Sequence, residues 1–459
     1  MTSLPHRLLR LAMLGLALAF AVVQPAAAQS VLRDSETELL FRDMSRPLIQ
    51  AAGLDPANVK IVLINDDEIN AFVAGGQIVY IHTGLLTRAD NANQLQGVIA
   101  HELGHVAGGH IIRIGEGAKA ATGITLLSLV LGAAAIAAGA PDAGLGIIMA
   151  GQRAAMGNFF AFTRAQESAS DLAGASYLAK AGFSGKGSLE FFKKLQNQEY
   201  RLAVYAKDSY DRTHPLSSER IEALTQVYKK DAAWNAATDP AVEARFQRVK
   251  AKLVGYVDSK NAVTRYPESD QTIPAHYARA YAYHLGAYPE KALSEADALL
   301  AKSPDDPFFL EVKGQILLES GRPKDAVPVL RHAVREAPDQ PMISVMLGHA
   351  LIATEDKQYF AEAKQVLKTA VNRDNDNPFA WMQLGVVYDR EGDVPRAALA
   401  TAERNNLEGK PKLALSSARM AMAGIPKGTP DFLRAQDIAL VSCAELKKDK
   451  KEKKVNCER

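Results

Sequence analysis

Cysteine is nearly absent. The 459 residues hold two, Cys443 and Cys457, both close to the C-terminus. Cys-ligated metal sites are therefore excluded from everything ahead of residue 443. Nor is there an excess of one charge: the formal net charge is +2 and the basic residues are spread along the chain. That argues against a nucleic-acid partner. The one basic run, Lys447 to Lys454, has Asp449 and Glu452 mixed into it and reads as a solvated tail. Long apolar runs are scarce, with two exceptions. The first, Leu11 to Val23, follows Arg7 and Arg10 and precedes Ala26-Ala27-Ala28. These are the three regions of a signal peptide over residues 1–28, with export to the periplasm expected. The run is short for an uncleaved anchor, and no Cys follows the cleavage site to carry a lipid. An oxidising destination favours a Cys443–Cys457 disulfide, worth about 3 kcal/mol in the chain-entropy model.

The second apolar run, Ala120 to Ala140, is long enough to span a bilayer and is followed, past Pro141-Asp142, by Ala143 to Ala150. Both pieces are rich in Ala and Gly and poor in the bulky residues that drive insertion. They are expected to form a helical hairpin, buried or in peripheral contact with a membrane.

What is present is chemistry on a helix. Gln94 to Ala100 runs in helical periodicity into His101-Glu102-Leu103-Gly104-His105. Two His four residues apart share a helix face and can reach one small cation, while Glu102 lies about 100° round the helix, better placed to hold a water. This is the H-E-x-x-H arrangement of zinc peptidases, with Glu102 as general base. A catalytic zinc site needs a third protein ligand. Glu167 is the best candidate, and Asp171, one turn on, can accept a ring N–H from a ligand His. The expected cofactor is one Zn2+ per chain. Val59 to Ile64 reads as β-rich, Asn70 to Gly76 as a turn, and Gln77 to His82 as a strand with the character of a sheet edge. An extended substrate could add to that edge. His110, five residues past His105, falls off the ligand face and reads as structural or surface.

From residue 236 the pattern changes. Pro274, Pro307, Pro341 and Pro378 recur at intervals of 33, 34 and 37 residues. Gly314, Gly348 and Gly385 each follow their Pro by seven, and Ala292, Ala326, Ala363 and Ala397 recur on the second helix of each unit. Trp381 to Tyr388 fits W-x-x-L-G-x-x-Y. These are tetratricopeptide repeats, helix pairs stacked into a solenoid, with a degenerate fifth unit from about Pro411 to Leu440. The three extra residues of the last interval fall around Ala353 to Gln358.

His101-Glu-Leu-Gly-His105, Glu167-x-x-x-Asp171, the segment from Asn70-Ala-Phe through Gly75-Gly76 to Thr83-Gly84-Leu85-Leu86, and Thr213-His-Pro-Leu-Ser-Ser-Glu-Arg220-Ile together resemble the HtpX/CAAX prenyl protease family of gluzincins. The resemblance implies His101, His105 and Glu167 as zinc ligands, Glu102 as general base, and His214 as a regulatory fourth ligand that displaces the catalytic water. Arg220, or a displaced His214, is the candidate oxyanion donor. With the export signal and the repeats, the resemblance narrows to exported members of the family, and implies clients among misassembled outer-membrane β-barrel proteins and docking of the repeats on the assembly machinery. A rival expectation is a repeat chaperone or adaptor with a latent peptidase site. The expected fold is mainly α: an α+β gluzincin-type domain with a small sheet over 29–235, a helical connector over 236–272, an all-α repeat array over 273–440 and a tail over 441–459.

Overall fold

The computed structural model describes residues 30–137, 140–202, 214 and 218–448. The signal peptide, residues 213 and 215–217 of the Thr213–Arg220 segment and most of the basic tail lie outside these. So does Cys457; Cys443 is disulfide-bonded.

The N-terminal part is built on one short sheet and one helix buried from Ala92 to His105. Strands β1 (Ser30–Leu32), β2 (Lys60–Asn65), β3 (Ala71–Ala74) and β4 (Ile78–His82) lie in the order β1-β2-β4-β3, with β2 and β4 parallel and the other two pairs antiparallel. Two expectations are corrected here. Residues 70–76 are a strand with its turn only at Gly75 and Gly76, both at positive φ. And β4 is central; the edges are β1 and, beside β4, β3. Pairing of Asn70 O with His82 N turns alternate backbone groups of β3 inward, so those of Ala71 and Val73 face the open edge.

Helix α1 (Ser35–Ala51) is capped by Asp34, whose carboxylate accepts from Thr37 N. After α2 (Thr83–Arg88), helix α3 (Ala92–Ala107) opens on Asn91, which accepts from Gln94 N. Every residue of α3 from Ala92 to His105 is buried, so this helix forms the centre of the core, against Leu40, Phe41, Leu85, Leu178 and Phe191. Gly108 and Gly109, the latter at φ +61°, end it.

Helix α4 (His110–Ala137) and helix α5 (Pro141–Lys180) then make an antiparallel hairpin. The Ala143 to Ala150 stretch and the Glu167 helix are one continuous rod of 40 residues, roughly 60 Å long. The two rods approach through small residues: a Cβ on Gly132 would lie 2.7 Å from Gly144 O, and one on Gly151 would meet Ser128. The outer faces are apolar and open, with Leu127, Val130 and Leu145 more than half exposed. The hairpin is therefore not buried, and α4 is long and apolar enough to cross a membrane.

Helices α6 (Lys186–Leu202) and α7 (Ser218–Tyr228) close the N-terminal core. The connector, α8 (Pro240–Val257) and α9 (Ser259–Arg265), leads into five antiparallel helix pairs: α10 (Ile273–Leu285) with α11 (Pro289–Lys302), α12 (Pro307–Glu319) with α13 (Pro323–Glu336), α14 (Pro341–Ala353) with α15 (Phe360–Arg373), α16 (Pro378–Arg390) with α17 (Val394–Leu407), and α18 (Pro411–Gly424) with α19 (Pro430–Lys448). The last helix runs past residue 440. Pro opens most of these helices, where its missing N–H costs nothing. The extra residues of the third unit form a 3-10 turn, Lys357–Tyr359. Gly314 and Gly348 each leave room for a Leu of the paired helix, Leu330 and Leu367.

The repeats fold back onto the N-terminal part. Arg248 on α8 contacts both Glu36 on α1 and Asp306 at the start of α12, the latter at 2.8 Å. Lys252 contacts Asp34, and Tyr277 donates to Glu36 at 2.8 Å.

Candidate metal centre

The site forms where α3 and α5 cross. A Cβ at Gly104 would lie 2.7 Å from Ser170 O, and one at Gly174 3.1 Å from Ala100 O. Only Gly at both crossings lets the helices approach closely enough to set Glu167 opposite the two His of α3. His101 Nε2 and His105 Nε2 are 3.1 Å apart; Glu167 oxygens lie 3.4 Å from the first and 3.3 Å from the second. His214 enters from the other side, with Nδ1 3.3 Å from His101 Nε2 and 3.2 Å from both Glu167 oxygens. All four residues are buried, and their donor atoms lie within 4.8 Å of one another.

The spacing tests the fit of a metal. A tetrahedral zinc with arms of about 2.0–2.1 Å has ligand atoms about 3.3–3.4 Å apart, and the contacts here are 3.1 to 3.4 Å. Three imidazoles turning ring nitrogens to one point cannot all satisfy each other, because each contact between two lone pairs lacks a proton. A cation resolves that conflict. Three nitrogens and a carboxylate suit zinc chemically.

Glu102 is the second telling residue. It is fully buried, and neither carboxylate oxygen makes a hydrogen bond among the described residues. Oε1 lies 3.5 Å from His214 Nε2. A buried carboxylate without partners is costly, and here it borders the donor cluster, where a water would sit.

The supporting shell is denser than the sequence suggests. Asp171 Oδ1 is 3.0 Å from His101 Nδ1. Arg220 donates to Asp171 through Nε at 2.7 Å and Nη2 at 2.9 Å, and touches Glu167 at 3.2 Å. Burial disfavours the charged form of His101, but Asp171 and Glu167 override it and raise its pKa to about 10. Burial likewise opposes ionisation of Glu167, and its contacts to His101, His105 and His214 hold it well below the carboxylate range. Burial pushes His105 down, despite Glu167. His214 Nε2 reaches Ala71 O at 3.2 Å, on the open edge of β3.

The structure thus brings together His101, Glu102, His105, Glu167, Asp171, His214 and Arg220. It also adds His110, which sequence reasoning set aside: it is buried, with Nδ1 3.1 Å from His105 Nδ1. Gly108-Gly109 breaks the helix and lets residue 110 turn back.

A metal-capable His–Glu site on a buried helix, beside a small sheet and under a long helical hairpin, defines a metallopeptidase-like domain. Residues 35–228 match the family model Peptidase family M48, and residues 288–341 match a tetratricopeptide-repeat model: the chain joins an M48 peptidase domain to tetratricopeptide repeats. It is similar over most of its length to proteins called beta-barrel assembly-enhancing protease. The one from Yersinia pestis is 25% identical over 426 residues, 90% of this chain and 85% of that protein. The one from Escherichia coli (strain K12) is 27% identical over 384 residues, 80% of this chain and 75% of that protein. Metalloprotease LoiP of Escherichia coli (strain K12) is 29% identical over 175 residues, 37% of this chain and 62% of LoiP.

Proposed function

We propose that this chain is a zinc-dependent endopeptidase of the periplasm that acts on outer-membrane β-barrel proteins during their assembly, with its repeats docking clients or the assembly machinery. The observation that carries the catalytic part is the convergence of His101, His105, Glu167 and His214 on one point beside Glu102, whose carboxylate makes no hydrogen bond among the described residues. The client class rests on the names of the relatives.

His101, His105 and Glu167 would hold the zinc. Bound there, it would supply a Lewis acid that polarises the scissile carbonyl and brings the pKa of a water toward about 7. Glu102 accepts the proton of the attacking water and passes it to the leaving amine. Asp171 fixes the ring of His101. Arg220, expected as an oxyanion donor, already braces Asp171 and Glu167, so the geometry favours His214, once displaced, as the donor. Substrate adds as a strand to β3, whose open carbonyl at Ala71 is held by His214 in the resting state. One residue then covers both the fourth position of the centre and the docking edge. The exposed hairpin rests on a lipid surface; recovery of the protein in the soluble fraction after washing membranes with neutral low-salt buffer alone would remove that part.

The test of the core proposal is zinc content and peptidase activity in parallel. Wild type and Glu102→Gln should each carry one zinc, with activity only in the former. Full activity in Glu102→Gln would refute the assignment. The covering His214, buried at 5% exposure, favours one second reading, a repeat chaperone with a latent peptidase. If Glu102→Gln restores every defect of a deletion strain, that reading wins.

A further inference from the structure

His105 turns Nε2 toward the metal centre and Nδ1 away from it, and what meets Nδ1 is another imidazole. His110 is the first residue of α4. The break at Gly108-Gly109 folds it back across the end of α3, where a Cβ on Gly108 would lie only 2.4 Å from its Nε2. Its ring stands edge-on to His105, with centroids 5.0 Å apart and planes at 82°. Nδ1 of His110 lies 3.1 Å from His105 Nδ1 and 3.0 Å from Ser170 Oγ, and the residue is 6% exposed.

Tautomer logic fixes what this contact must be. For His105 Nε2 to offer a lone pair, the ring proton must sit on Nδ1. A buried N–H needs an acceptor, and the atom in reach is His110 Nδ1. His110 must then carry its own proton on Nε2. The Ser170 hydroxyl, on the helix that also bears Glu167, holds the same face of the His110 ring. The two His of the H-E-x-x-H helix are therefore supported unequally: a carboxylate, Asp171, stands behind His101, and an uncharged imidazole stands behind His105. We infer that His110 is a positioning residue that fixes His105 as the Nδ1–H tautomer and so aims its Nε2 at the zinc. The inference rests on the zinc-peptidase reading above.

The experiment uses the full mature chain carrying Glu102→Gln, which removes self-cleavage, and measures zinc affinity by competition with a chelator. His110→Ala should weaken zinc binding about 10- to 100-fold, the usual cost of losing such a partner. His110→Asn, which keeps an acceptor oxygen near the position of Nδ1, should recover most of that loss. His110→Phe, which fills the space without an acceptor, should not. The cobalt-substituted protein should repeat this order in its visible spectrum. Equal zinc affinity in the Ala and Phe variants and the parent would overturn the inference. So would recovery by Phe as complete as by Asn, since that assigns His110 to packing. If the Ala variant does not fold, the Asn and Phe pair decides alone. A parent that takes up no zinc would overturn the zinc-peptidase reading, and this inference with it; a parent that binds zinc, with indifferent variants, would overturn this inference only.

Discussion

Between the peptidase domain and the first repeats, Asp34, Glu36 and Asp306 meet Arg248, Lys252 and the Tyr277 hydroxyl; at the crossing of α3 and α5, Glu102 and Glu167 meet three imidazoles. The metal centre is buried and the interdomain cluster buried to half-buried; both are polar, and both draw on residues far apart in sequence. They differ in what is left over. In the interdomain cluster each of those acids is matched by a cation or a hydroxyl donor at short range. In the metal centre, nitrogen donors crowd one point with no proton between some of them, and one carboxylate stands without a hydrogen bond. A closed network holds two domains in place; an open one is poised for an ion, a water and a substrate.

The sharpest way to separate the two is to remove one charge from each. Glu102→Gln should lower peptidase activity by about 10^2- to 10^4-fold, the usual worth of a general base, while thermal stability holds or rises because a buried charge is gone. Equal losses of activity and stability would make Glu102 part of a structural network. Arg248→Ala is the mirror case. It leaves Asp306 without its cation and Glu36 with only Lys252 at 3.7 Å and the Tyr277 hydroxyl, and should cost about 3 kcal/mol in denaturant unfolding. Zinc content of the folded protein should be unchanged. A loss under 1 kcal/mol, with zinc uptake impaired, would merge the two clusters into one.

One residue blurs the comparison on the interdomain side. Glu311 on α12 is buried, its Oε2 has no hydrogen-bond partner among the described residues, and it lines a chamber of about 890 Å3 between β1 and the inner face of the repeats. Burial raises its pKa to about 8, against the pull of Lys252. The folded chain thus keeps a proton that the unfolded chain has released above its ordinary pKa of 4.5. Stability must fall as pH rises from about 4.5 to about 8, with a slope of at most about 1.4 kcal/mol per pH unit from this group, and level off beyond. Glu311→Gln should remove that component, gaining on the parent most above pH 8. Urea unfolding at pH 5, 7 and 9 checks it; parallel curves for parent and variant would mean that Glu311 is ionised throughout.

What could be read from the chain follows the range of the interactions involved. The H-E-x-x-H spacing, the Glu167–Asp171 turn and the repeat period are local patterns on helices, and each stands where the pattern put it. The sheet was harder. Asn70 to Gly76 looked like a turn because Gly75 and Gly76 dominate the segment, yet four residues before them pair with β4. That β4 is central rather than an edge depends on strand order, which is set by contacts outside the strand. His110 was placed by counting along a helix that in fact ends at Ala107. The pairing of Arg220 with Asp171, and of Arg248 with Glu36, spans 49 and 212 residues, and no local pattern announces it. The hairpin was legible as a hairpin but not as exposed, since Ala- and Gly-rich helices suit a core as well as a lipid surface.

His214 gives the smallest expected effect and the most direct test of an open network. Its contacts include Nδ1 on the donor cluster, Nε2 on Ala71 O at 3.2 Å, and Nε2 near Glu102 at 3.5 Å. If these keep the site covered for about nine-tenths of the time, uncovering it should raise turnover roughly tenfold, equivalent to about 1.4 kcal/mol. His214→Ala should therefore speed cleavage of an unfolded protein substrate, or self-cleavage, by about that factor with zinc retained. The gain should be larger for extended substrates than for short ones, because an added strand must compete with His214 for Ala71 O. Unchanged or lower activity with full zinc would show that His214 supports the site rather than covering it. The centre would then be as closed as the interdomain cluster, with Glu102 its one unmet group.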